Sequence, residues 1–428
     1  MTERDAFEAR FAAAVHAYAG RLSSELDPVE LAHRIAVREP RRHGLSPAMA
    51  LRGVSFPARV WMVLLLAALL TGLVAGMLVA GARPPELPAV VPPSIPLSAC
   101  PAGTNPDVPG PADQARPAWG VAQTPEMAFD RHEGKLVAVA DGGTWTFDVC
   151  TNTWAHLQPN RQPPGANNLV YDIDSALTVA SDSDGRMWAY DLGADTWTAK
   201  GQAPFDPGTI RLWFYEPSSG RIVALEDDRT DNQTLGFTPW GYDVATDSWI
   251  QLRQGASVVI GAHYQFFTFE PSTDRVIAYV STWTPSGSAD WRFDARTWLY
   301  DVADAAWSRT GAVTPPVFNH GMWGLSPGIG YDEAAARAVM VGQGHLATYD
   351  VTADRWEVLF GGLTEGVPDS CGTRPECRQM PRMVYDSVNE RLVVFAGYVG
   401  TPTGELWPDD LLAFETRTGA WTVLLEAR

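Results

Sequence analysis

An all-β propeller of six blades, carried behind a membrane span, is the fold predicted by this 428-residue sequence. Three observations predict it. An octet opening on an aromatic–acid pair and closing on Trp recurs six times: FDVCTNTW (147–154), YDLGADTW (190–197), YDVATDSW (242–249), YDVADAAW (300–307), YDVTADRW (349–356) and FETRTGAW (414–421). Each copy is preceded by a second aromatic–acid pair and a β-rich run. Upstream of them all stand a long apolar run and a proline-rich stretch.

The first segment, residues 1–58, is expected to form short amphipathic helices in the cytosol. Phe7, Phe11, Val15, Tyr18 and Leu22 recur at three- to four-residue spacing, which lines one helical face. Asp27-Pro28-Val29-Glu30 carries the capping signals of a second helix. This segment packs on itself, lies along the membrane, or docks a cytosolic protein.

Residues 60–82, VWMVLLLAALLTGLVAGMLVAGA, are uncharged and mostly apolar. A helix of that length crosses the ~30 Å hydrocarbon layer, so the lipid bilayer is the expected partner of this stretch. Five arginines between 38 and 59 precede it against Glu39, while Arg83 stands alone beyond it. The positive-inside rule then leaves the N-terminus in the cytosol and the C-terminal block outside, a single-pass arrangement at the cell membrane. Gly72 and Gly76, with Ala80, form a small-residue stripe suited to a weak homodimer.

Residues 84–117 hold 11 prolines. Such a composition forms a semi-rigid extended stalk. Packing of its last part against the following domain is the alternative.

From 118 to 428 the repeats take over. The upstream aromatic–acid pairs are Phe129-Asp130, Tyr171-Asp172, Tyr215-Glu216, Phe269-Glu270, Tyr331-Asp332 and Tyr385-Asp386. The β-rich runs that follow are KLVAVA, ALTVAS, RIVALE, RVIAYV, RAVMVG and RLVVFA. With the octet's two strands, this makes four strands per unit. Successive octet tryptophans lie 43 to 65 residues apart, a period that marks propellers and arrays. A meander apolar on both faces needs a neighbour on each side, and radial stacking supplies both. Asn152, Asp195, Asp247, Ala305, Asp354 and Gly419 stand five residues after the octet aromatic. All but Ala305 suit the positive φ of a tight hairpin.

The order of aromatic–acid turn, β-run ending near Gly, W-x-[YF]-[DE] and Trp resembles the Kelch repeat of β-propellers. MVYDSVNERLVVFAGYV (383–399) with LLAFETRTGAWTVL (411–424) is the nearest copy. The family's paired glycines after the second strand are reduced here to Asp141-Gly142-Gly143 and the single Gly397. The resemblance spans 118–428 and implies a six-bladed Kelch-like propeller. Each blade appears with its own four strands, so no shared closing strand is expected.

Charge and cysteines bound the function. Net charge is −18, and residues 84–428 alone carry −21. An acidic surface excludes nucleic acid as partner, because phosphate binding needs a basic one. All four cysteines lie beyond the apolar run, as expected of disulfides in an oxidising compartment. Cys371 and Cys377 bracket GTRPE and suit a local bridge. Cys100 in the stalk is then left for Cys150 in the last hairpin of blade 1. No cofactor motif, metal-ligand spacing or catalytic constellation is present, and no catalytic residue is assigned.

In an up-and-down meander the 1–2 and 3–4 turns share one face, the turn face, and the 2–3 and 4–1 loops share the other. Long, irregular connections at 227–238, 281–296, 312–327, 362–380 and 398–409 put the candidate binding site on this loop face. Its candidate residues are Arg211, Trp213, His263, Trp283, Trp291, Arg292, Asn319, His320, Trp323 and Trp407. Aromatic plates beside Arg and Asn suit sugars or peptides. The expected function is a membrane-anchored extracellular module that binds protein or glycan. Two alternatives stand beside it: the sensor half of a single-span regulator read out by 1–58, and a surface carbohydrate-active enzyme of isomerase, lyase or oxidase type.

Overall fold

The computed structural model describes residues 99–117 and 126–428, apart from 167, 228–233, 260–261, 286–290, 316–326, 343, 361–374 and 402–403. The expected helices of 1–58, the span 60–82 with Gly72 and Gly76, and the first part of the stalk lie outside the described residues. Among the described residues no helix is long and apolar enough to cross a membrane.

Six four-stranded antiparallel meanders follow one another as blades 1 to 6: 127–157, 168–202, 210–251, 262–309, 328–360 and 382–425. Strand order within each sheet follows the chain, and two small ribbons are added beside blades 3 and 6. The second strand of every blade is apolar on both faces because a neighbouring sheet covers each. Val137, Val179, Val223, Ile277, Val339 and Val393 are all at most 1% exposed. Burying each such side chain contributes roughly 1.5–3 kcal/mol.

The buried apolar side chains form six clusters, one for each seam between blades. The seam between blades 6 and 1 is among them, with Phe147 packed beside Phe395 and Leu424. The ring is therefore closed.

The octets close the blades. In all six, the aromatic packs on the Trp of the next strand, with centroids 4.7–5.2 Å apart. The residue five after the aromatic has positive φ in every copy, Ala305 included at 52°. Alanine disfavours that conformation, so the hairpin imposes it. Where the residue is Asp, it repays the turn by accepting the tyrosine hydroxyl of its own octet: Tyr190 to Asp195, Tyr242 to Asp247 and Tyr349 to Asp354, at 2.6–2.8 Å. Each of the twelve acids ending a first or third strand accepts from an amide or hydroxyl of its own turn. These acids are structural.

Closure uses no shared strand. Instead residues 99–117 form a strap across the seam between blades 6 and 1. Cys100 is disulfide-bonded to Cys150, the pairing expected from the sequence. Asn152 Nδ2 donates to Pro106 O and Val108 O at 2.7 and 2.9 Å, and Gln114 Nε2 donates to Asn152 O at 3.0 Å. On the blade 6 side, Arg391 pairs with Asp107 at 2.9 Å, and Gly110 N donates to Leu424 O at 2.8 Å. The buried Arg116 donates to Glu426 O at 2.7 Å and Asp409 O at 3.0 Å.

The strap imitates a contact found elsewhere in the ring. At the end of the outer strand of blade 2 and just past that of blade 4, Gly201 and Gly311 donate their amides to Asp247 and Asp354, the positive-φ residues of the next blade. Between blades 3 and 4, Gly255 lies so close to Ala305 O that a Cβ would overlap it. At the 6–1 seam Gly110 takes this place against Asn152 O, again with no room for a Cβ.

One connection differs from expectation. Residues 281–296 continue the second and third strands of blade 4, as Arg275–Pro285 paired with Trp291–Asp301. The β-formers at 282–284 and 291–293 carry the ladder through most of this stretch. The second disulfide is described at one end: Cys377 is disulfide-bonded, and Cys371 lies outside the described residues.

Candidate axial site

Each blade begins with an inner strand: Met127–Asp130, Asn168–Asp172, Ile210–Glu216, Ala262–Glu270, Gly328–Asp332 and Arg382–Asp386. Each pairs on one side only, with the second strand of its blade. The other edge faces the propeller axis. Together the six surround a cavity of about 890 Å³, within the ~300–1,000 Å³ of ordinary ligand sites. Its wall is therefore largely free strand edge, with N–H and C=O groups unclaimed by a ladder.

Polar side chains gather near the loop-face end, where the inner strands begin. Glu126 pairs with Arg382 at 2.9 Å. Burial pushes the Glu126 carboxyl above its usual range, and Arg382 partly offsets this. Arg211 holds Asp227 through Nη2 at 2.6 Å and Nε at 2.7 Å. Asn168 Nδ2 donates to Ser181 Oγ at 3.3 Å, whereas Gln265 Nε2 is buried with no partner among the described residues. Both arginines keep about half their side-chain surface, 43% for Arg211 and 50% for Arg382.

The opposite end is built from the residues that follow the inner-strand acids of blades 1 to 5. Ile173, Pro217 and Pro271 are apolar, while Arg131 and Glu333 form an ion pair. Tyrosine hydroxyls tie these turns from blade to blade. Tyr331 donates to Glu270 at 3.1 Å, and Tyr385 accepts from Ala334 N at 3.1 Å. Burial raises Tyr385 to about 12, helped by Asp332 and Glu333. Burial likewise raises the carboxyls of Asp130, Asp172, Glu216 and Asp386. It would raise Glu270 too, but hydrogen bonds from Ser272, Thr273 and Tyr331 outweigh it and hold that carboxyl low.

The residues singled out from sequence fall in several places. Arg211 and Trp213 lie on the inner strand of blade 3 and line the axial cavity. Trp213 also packs edge-on against Trp249 at 6.1 Å. Trp407 packs on Tyr398 at 5.0 Å in the blade 6 insertion. His263, Trp283, Trp291 and Arg292 belong to strands of blade 4, and their side chains lie outside the described residues. So do Asn319, His320 and Trp323 entirely. Glu126, Asn168, Gln265 and Arg382 were not singled out. Their only signal was a polar residue three or four positions before the inner aromatic. Among the described residues no group of three or more His, Cys, Asp and Glu side chains is arranged to hold a metal.

No family model matches the chain. Among solved structures it is similar to the hydrazine synthase of Kuenenia stuttgartiensis, at 11% identity and a TM-score of 0.40, over 71% of this chain and 84% of that one. The propeller assignment rests on the six blades themselves.

Proposed function

We propose that this chain is a binding module, a divergent Kelch-type propeller held outside the cell on the span predicted for 60–82. Its ligand is an uncharged glycan chain that enters the axial cavity from the loop face. The observation that carries this reading is the cavity wall. Free strand edges offer donors and acceptors, and hydroxyl groups satisfy both kinds. The charges at the two ends are already paired as Glu126–Arg382, Arg211–Asp227 and Arg131–Glu333. A charged ligand has to compete with those pairs, and a neutral one does not. The Cys100–Cys150 bridge and the arginines before the span support the outside location.

The full-length chain, kept in detergent, is to be tested against neutral oligosaccharides by array and titration calorimetry. Binding is expected, and Asn168→Leu with Gln265→Leu weakens it by about tenfold or more, ~1.4 kcal/mol, without lowering the melting temperature. A chain that binds charged peptides and no neutral glycan refutes this reading in favour of protein recognition. Protease shaving of intact cells checks the location: blades that survive while other surface proteins are cut place the propeller inside.

A further inference from the structure

The two ends of the axial cavity are built differently. At the loop-face end Glu126, Asn168, Arg211, Gln265 and Arg382 are spread around the rim. At the turn face, one equivalent residue from each of blades 1 to 5 lines the cavity. Ile173, Pro217 and Pro271 come from blades 2, 3 and 4. Arg131 of blade 1 and Glu333 of blade 5 pair with each other although blade 6 stands between them. Blade 6 has Ser387 at this position, outside the cavity lining, and its Oγ is buried with no partner among the described residues. The small side chain leaves room for the ion pair to pass. Proline and isoleucine side chains offer no hydrogen bond to a hydroxyl-rich chain, and Arg131 and Glu333 are engaged with each other.

We propose that this ring is a floor, so that the cavity is blind and takes the end of a chain rather than its interior. The inference rests on the cavity being the glycan site proposed above. It makes Arg131 and Glu333 specificity-determining residues, because their pair sets how far a chain can enter.

The test uses the full-length chain with neutral linear oligosaccharides, the same chains blocked by a bulky group at one or the other terminus, and cyclic oligosaccharides of the same sugars. Blocking the inserted terminus is expected to weaken binding by about tenfold or more, and cyclic molecules bind no better than blocked ones. Arg131→Ala with Glu333→Ala opens the floor and restores affinity for blocked chains. The exchanged pair, Arg131→Glu with Glu333→Arg, keeps the wild-type discrimination and controls for folding. If linear, blocked and cyclic oligosaccharides bind alike, the blind floor is wrong while the glycan reading stands. If no neutral oligosaccharide binds at all, both are wrong.

Discussion

Tyr331 of blade 5 donates its hydroxyl to Glu270 of blade 4 at 3.1 Å, in a site closed to solvent. The bond joins two blades through the aromatic of one inner pair and the acid of the other. The equivalent aromatic is Phe in blades 1 and 4, as Phe129 and Phe269. The hydroxyl tie is therefore missing at the 6–1 and 3–4 seams. Phe269 stacks on Phe214 at 3.9 Å instead, and the strap spans the 6–1 seam.

Tyr331→Phe removes a hydrogen bond to a carboxylate, with an expected cost of about 1.5–3 kcal/mol. The lower end is expected, because Ser272 and Thr273 still donate to Glu270. Tyr385→Phe loses only an acceptor for Ala334 N and should cost about 1 kcal/mol. Urea denaturation of the two variants separates these outcomes.

Cys150→Ser removes the covalent tie between the strap and blade 1 and leaves its hydrogen bonds to Asn152 in place. The bridge spans 50 residues, and its loss should cost about 2–5 kcal/mol. Guanidinium denaturation of wild type and variant under oxidising conditions reads this directly. Under reducing conditions the difference between them should vanish.

Gly110→Ala forces a Cβ into Asn152 O, and Gly255→Ala does the same to Ala305 O. Each should cost about 1–3 kcal/mol by overpacking. Gly110→Ala and Cys150→Ser act on the same strap, so their double variant should lose less than the sum. Additive losses would show that the bridge and the glycine contact stabilise the seam independently.

Asp130, Asp172, Glu216 and Asp386 have folded-state values above their unfolded ones. They bind protons more readily when folded, so stability falls as pH rises through their raised range. Melting temperature should therefore increase as pH drops from neutrality towards the ordinary carboxylate range, helped by relief of the −18 net charge. Glu270 runs the other way, because its folded value is depressed. Its contribution is present above the ordinary glutamate value and disappears as pH falls through the folded one. Glu270→Gln should lose stability at neutral pH, and the loss should shrink in acid.

The blades were legible because each repeats a local requirement. A Trp seven residues after an aromatic is a cross-strand pair, an acid at a strand end is a turn acceptor, and both must recur wherever the hairpin does. Even Ala305 obeyed the geometry against its own preference. The strap was legible in its Cys100–Cys150 bridge and in the alternative that the stalk's end packs on the domain, but its other contacts were not. Gly110 and Arg116 act through backbone carbonyls hundreds of residues away in sequence, and Gln114 through the carbonyl of Asn152 on blade 1, and such contacts leave no periodicity. The axial rim was hidden for a related reason. Glu126, Asn168, Gln265 and Arg382 hold similar places in different blades, yet share no residue type. Only Arg211 and Trp213 were found in advance, and as loop residues, although both stand on a strand.

The strap also sets an order of events in synthesis. Cys100 and Cys150 emerge early, so their bond can fix the strap to blade 1 before the other five blades are made. The carbonyl of Glu426, which Arg116 holds, arrives 310 residues later. Until then the newborn chain carries a docking edge already in place and nothing to dock on it. Ring closure is thus the last step in making the domain, and a ribosome stalled within blade 6 would leave an open arc with one finished end.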